Sequence, residues 1–138
     1  MKREVDWSRV KHFEKREFSG ADKMHPDVIY LMDAMREYAG IPCIIHEAYA
    51  ASGHSPKSYH YKGLAIDFHF EGLSLLEQFL ISQRFAWGGI GLYPFWARPG
   101  LHVDMRPLGL FQPGARWWRD EKGVYRALTA EDLKSLWA

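Results

Sequence analysis

The chain has 138 residues, 47% of them hydrophobic, with 18 Lys+Arg against 17 Asp+Glu and a formal net charge of +1. That length and apolar content suit one domain over 1–138 with its own core, and they exclude a wholly disordered chain. The balanced charge argues against a protein built to neutralise nucleic-acid phosphates, and the single cysteine, Cys43, excludes an internal disulfide framework and a Cys-rich zinc finger.

No run reaches the roughly 18–20 apolar residues of a membrane helix. The charged start, Met1-Lys2-Arg3-Glu4, has no apolar signal region behind it. The expected setting is therefore the cytoplasm in which the chain is made, as a monomer with neither membrane nor nucleic-acid partner.

In chain order, residues 7–13 carry a weak helical pattern. Pro26 opens a firmer helix with Val28, Leu31, Met32, Met35 and Tyr38/Ala39 at helical spacing, and Gly40 stops it. Residues 41–49 are short, apolar and β-prone, and Cys43 within them reads as a buried, inert thiol. The Gly/Ser/Pro-rich stretch 50–59 is a loop, in which His54 is expected to be mobile. Residues 64–70 alternate, with Leu64, Ile66, Phe68 and Phe70 opposite Ala65, Asp67 and His69. A second amphipathic helix covers 73–85, and Gly88-Gly89-Ile90-Gly91 reads as a tight bend. Residues 101–106 alternate again, placing His102, Asp104 and Arg106 on one face. Residues 116–128 form a hairpin turning at 121–123, whose tryptophans are expected to close the core, with a glycan contact as the lesser reading. Thr129 caps a last helix reaching Leu136. Strands and helices mix without a regular βαβ rhythm, so the fold class is α+β.

Two strands thus each carry acid and imidazole on the face away from their apolar residues. A divalent metal, zinc especially, takes imidazole nitrogen and carboxylate oxygen. His60, Asp67 and His102 can supply three ligands if the strands are neighbours. Glu47, on a segment entering the same region, is balanced between facing that site and an ordinary exposed carboxylate. His69 reads as a neutral surface residue.

The string from Ser58 to Asp67 reads S-x-H-x-x-G-x-A-x-D, and it is followed by Gly88-Gly89-Ile90-Gly91-Leu92-Tyr93-Pro94 and by His102-Val103-Asp104. These residues resemble the zinc D-Ala-D-Ala carboxypeptidase and murein endopeptidase family, whose fold is shared with the hedgehog signalling domain. The resemblance covers roughly residues 14–108. It implies a small antiparallel sheet with helices packed on one side, and His60, Asp67 and His102 as zinc ligands. It also implies zinc-dependent hydrolysis of stem or cross-link peptides of bacterial peptidoglycan containing D-residues. Without a signal pattern, this fits an endolysin-like or virion-associated phage enzyme, or a cytoplasmic recycling enzyme.

The sequence departs from the family twice. Ala50 stands where relatives place an arginine that holds a substrate carboxylate, so endopeptidase action is favoured over carboxypeptidase action. Arg98 and Arg106 are the candidate replacements. Arg98-Pro99-Gly100-Leu101 contains no acid where relatives place a general base. Asp104 and Glu47 are then the candidate catalytic acids, with Asp104 balanced between base and a partner that fixes a ligand imidazole. The alternative to an enzyme is a non-catalytic zinc-containing binding or virion structural module with a degenerate site.

Overall fold

The computed structural model describes residues 4–107 and 114–136. Both ends of the 1–138 span, and the last residue of the resembling stretch, lie outside these. The protein is α+β. Three helices, α1 (Pro26–Ala39), α2 (Leu75–Ser82) and α3 (Ala130–Leu136), accompany a six-stranded sheet. Its strands are β1 (Cys43–Glu47), β2 (Ala65–Phe70), β3 (Gly89–Tyr93), β4 (Gly100–Asp104), β5 (Ala115–Arg119) and β6 (Tyr125–Ala127), in the order β1-β2-β4-β3-β5-β6. Every pairing is antiparallel except β3 with β5, which run parallel. The antiparallel sheet expected from the sequence thus carries one parallel seam.

One face of the sheet is apolar. Ile66, Phe68 and Phe70 of β2, Ile90 and Leu92 of β3, and Leu101 and Val103 of β4 are buried in one cluster. Val28, Ile29, Met32 and Met35 of α1, and Leu75 and Phe79 of α2, join them, so both helices cover the same face. Pro26 starts α1 where its missing N–H costs nothing, and Gly40 ends it at φ 65°. Ser74 and Glu77 close α2 with a reciprocal capping box. The N-terminal segment wraps this core through Phe13, Phe18 and Met24. It is tied to α1 by Asp33, which accepts hydrogen bonds from the backbone N–H groups of Lys11 (2.9 Å) and His12 (2.8 Å).

Several boundaries differ from the sequence reading; the helix expected over 73–85, for one, is α2 at Leu75–Ser82. Residues 7–13 form only a short 3₁₀ turn at Trp7–Arg9, held by the Asp6 side chain. The strand expected over 41–49 is regular only at Cys43–Glu47, where a bulge between Ile45 and Glu47 shifts its register against β2. The glycine run at 88–91 is no bend: Gly89 and Gly91 are strand residues of β3. Gly91 is required by what lies over it, since a Cβ there would sit 2.4 Å from the Trp117 indole.

Gly63 joins the His60 turn to β2 and is restricted twice. Its φ is +68°, and a Cβ would fall 2.0 Å from the carbonyl oxygen of Lys23. Replacing Gly63 by Ala therefore adds left-handed strain to a backbone collision. The expected cost is about 3 kcal/mol, read as a lower urea midpoint with unchanged slope.

Candidate metal centre

The site occupies the other face of the sheet. Cross-strand pairing sets Glu47 opposite Asp67, Asp67 opposite His102, His102 opposite Gly91, and Gly91 opposite Trp117. Directly paired residues project to the same side. One row across five strands therefore holds two carboxylates, an imidazole, a gap and an indole. The gap at Gly91 lets Trp117 lie down against His102, with ring centroids 5.4 Å apart.

His60 arrives from the turn Tyr59–Lys62 just before β2, and Ser58 caps that turn by accepting from the His60 N–H. His60, Asp67 and His102 are buried, and each offers one ligand atom such that all three atoms lie within 4.8 Å of one another. Each imidazole is held from behind. His60 Nδ1 lies 2.7 Å from the Ala48 carbonyl oxygen, so it donates there and Nε2 is left facing Asp67 Oδ1 at 3.1 Å. His102 Nε2 donates to Asp104 Oδ2 at 2.7 Å, which turns Nδ1 toward the same Asp67 oxygen at 2.9 Å. Two imidazole lone pairs and a carboxylate oxygen converge on one point, and this donor set fits a divalent cation.

Asp104 is fully buried, and both its oxygens are engaged. Arg106 grips it bidentately, Nε to Oδ1 at 2.8 Å and Nη2 to Oδ2 at 2.7 Å. The Arg106 guanidinium is itself stacked between Tyr59 and Trp117, at 5.0 and 4.9 Å from their ring centres. Asp104 thus sits behind His102 with no oxygen turned to the cleft. Of its two expected roles, this geometry suits the one that fixes the imidazole. The same grip commits Arg106, a candidate for the missing substrate cation, to Asp104. Arg98 lies 3.7 Å from Glu71.

Burial alone would raise the Asp67 carboxyl, but the His102 and His60 imidazoles, which donate to it when no cation lies between them, outweigh burial and hold it well below the usual carboxylate range. Asp104 is lowered in the same way, against burial, chiefly by Arg106 and then His102. Burial pulls His102 down, but its bonds to Asp104 and Asp67 prevail and push it up to about 9.

The three residues lie on an open cleft of about 1210 Å³, lined also by Glu47, His54, Tyr93, Trp96 and Trp117. The bulge in β1 turns His46 and Glu47 toward this cleft. His54, expected to be a mobile loop residue, lies in the loop but is held in the cleft. It stacks on His60 with centroids 4.4 Å apart, and its Nε2 lies 3.0 Å from Glu47 Oε2. His69 is not a surface residue: it is 6% exposed, with Nδ1 2.6 Å from His46 Nε2. The tryptophans of β5 divide between faces, Trp118 packing on the core and Trp117 lining the cleft. Both tryptophans were expected to close the core, and strand alternation lets only Trp118 do so. Nothing in the sequence signalled the fold-back of the His54 loop.

In this small α+β fold, the buried His–Asp–His group on an open cleft is a donor set that could hold a metal ion. The family model described as peptidoglycan L,D-endopeptidase MepK matches residues 45–110, a stretch that includes the string at 58–67. Peptidoglycan L,D-endopeptidase MepK of Escherichia coli (strain K12) and that of Shigella flexneri are each 42% identical over 57 residues, 40% of this chain and 29% of the relative. The match thus spans less than a third of those relatives' length. No solved structure matches.

The charges at the centre set a pH dependence for the chelator-stripped protein. Asp67 and Asp104, lowered in the fold, contribute stability that is present above their ordinary 3.8 and lost as pH falls further. His102, raised in the fold, contributes stability that is full below its ordinary 6.5 and lost as pH rises through about 9. Thermal melting of the stripped protein should therefore peak between these limits and fall from pH 6.5 to 9. A melting temperature flat over that upper interval contradicts this charge arrangement.

Proposed function

We propose that this chain is a zinc-dependent peptidase that hydrolyses peptide bonds of bacterial cell-wall peptidoglycan, in peptides containing D-residues, and acts as an endopeptidase. The observation that carries the reading is the convergence of His60, Asp67 and His102 within 4.8 Å at the floor of an open cleft. The likeness of residues 45–110 to a peptidoglycan endopeptidase supports the substrate class. Endopeptidase action is supported by the open cleft and by Ala50, which is buried and offers no cation to a terminal carboxylate.

His60 Nε2, Asp67 Oδ1 and His102 Nδ1 would hold the zinc. When bound there, zinc supplies Lewis-acid activation of a carbonyl and of water. The chain's own residues do the rest. The Ala48 carbonyl and Asp104 keep the two imidazoles in the tautomers that leave a lone pair on the inner nitrogen. Glu47, half-buried in the cleft and steadied by His54, takes a proton from the attacking water as the new C–O bond forms. It passes that proton to the amine nitrogen as the C–N bond breaks. Trp117 and Tyr93 wall the cleft, the indole N–H lying 3.4 Å from the Tyr93 hydroxyl. The non-catalytic alternative rested on the missing arginine at Ala50 and the missing acid before His102; Glu47 offers an acid in the cleft, and that alternative is not favoured.

Two substitutions separate the roles. Glu47→Gln should retain zinc and lower kcat on purified muropeptides by about 10²–10⁴-fold. Asp104→Asn should weaken zinc binding by about 10–100-fold, measured by competition with a chromogenic chelator. Wild-type turnover in Glu47→Gln would move the base elsewhere. No muropeptide cleavage by the zinc-loaded wild type, judged by mass spectrometry, would refute the function.

A further inference from the structure

Four cations line the cleft: Lys57, Arg98, Arg106 and Arg119. Arg106 is bound to Asp104 and Arg98 lies beside Glu71. Lys57 belongs to a loop, whereas Arg119 belongs to β5. Arg119 has no carboxylate within ion-pair distance among the described residues. It follows Trp117 by two positions, so it leaves the sheet on the same face, about 7 Å further along the strand.

Its setting is built to hold a guanidinium. Arg119 pairs with Tyr125 across the β5–β6 hairpin, and the guanidinium lies over the Tyr125 ring at 5.4 Å. Its Nε donates to the Gly123 carbonyl at 3.4 Å. The turn beneath it is stiffened by Asp120, which accepts from the backbone N–H groups of Lys122 and Val124, both at 2.9 Å, and from Arg126 Nε at 2.8 Å. An arginine whose neighbours are a ring and one carbonyl keeps most of its donors for an incoming group. Planar guanidinium forks match carboxylates.

We propose that Arg119 is the specificity residue that binds a free, non-terminal carboxylate of the substrate peptide, further along the cleft from His60, Asp67 and His102. The proposal rests on the peptidase reading for its ligand class and extends it: the substrate is an anionic peptide engaged at an internal or side-chain carboxylate. Arg119 lies outside the segment that matches the murein endopeptidase family.

The test compares a stem peptide carrying free carboxylates with the same peptide amidated at one carboxylate at a time. Binding is measured by calorimetry on the full zinc-loaded chain in a Glu47→Gln background, so that the peptide is not consumed. The parent should bind the acid roughly tenfold more tightly than one of the amides. Arg119→Gln should bind both alike, and Arg119→Lys should recover part of the preference. A melting temperature equal to the parent's certifies the fold of each variant. An unchanged acid preference in Arg119→Gln, or no preference or no binding in the parent, overturns the proposal. Hydrolysis by the chain with native Glu47 is the separate arm. Equal cleavage of acid and amide by wild type and Arg119→Gln sinks the Arg119 role and leaves the peptidase standing. An acid preference lost in Arg119→Gln, with no cleavage of either peptide by wild type, sinks the peptidase and leaves the carboxylate site standing.

Discussion

The buried carboxylate of Asp67 is the constraint around which the rest is arranged. It is 9% exposed, in the middle of a strand whose other face is the hydrophobic core. A carboxylate in such a place is costly unless positive charge or donors meet it. Two imidazoles reach the same oxygen from different elements, one from the turn before β2 and one from β4. Each is already committed on its outer nitrogen, to a backbone carbonyl or to Asp104. The inner nitrogens and the carboxylate therefore make a donor set that fits a cation between them. Asp104 raises the same demand one layer back, and Arg106 answers it there.

The sheet converts that local chemistry into a cleft. Antiparallel register puts Glu47, Asp67 and His102 abreast, and the glycine at 91 opens the next place in the row for an indole. The parallel seam between β3 and β5 brings Trp117 and Arg119 to the cleft side. Core and cleft are thus two faces of the same strands: Ile66 and Phe68 pack on α1 and α2 while Asp67 between them faces outward.

Much of this was legible in the sequence. Period-two alternation in 64–70 and 101–106 is a direct readout of which side chains share a face, so Asp67, His102 and Asp104 were found together with the strands that hold them. The string at 58–67 located His60, whose position depends on a turn that periodicity does not describe. What escaped reading was set by tertiary contacts. The glycines at 88–91 have turn composition, yet a Trp117 ring from a strand some 26 positions on (from 91 to 117) is what requires the last of them. The bulge at 45–47, which turns two successive side chains to one face, leaves no compositional trace. His54 looked like loop because its neighbours are loop residues; its contact with His60 and Glu47 arises only when the loop folds back. Arg106 looked available because a guanidinium two residues from an acid on one strand face does not announce a bidentate grip.

Whether His60, Asp67 and His102 together hold a metal ion is read most directly by X-ray absorption at the zinc edge of the zinc-loaded chain. The expected shell has two imidazole nitrogens at about 2.0–2.1 Å and a carboxylate oxygen at about 2.0–2.2 Å, with no sulfur. A sulfur scatterer near 2.3 Å, or a shell lacking the two imidazoles, would contradict it.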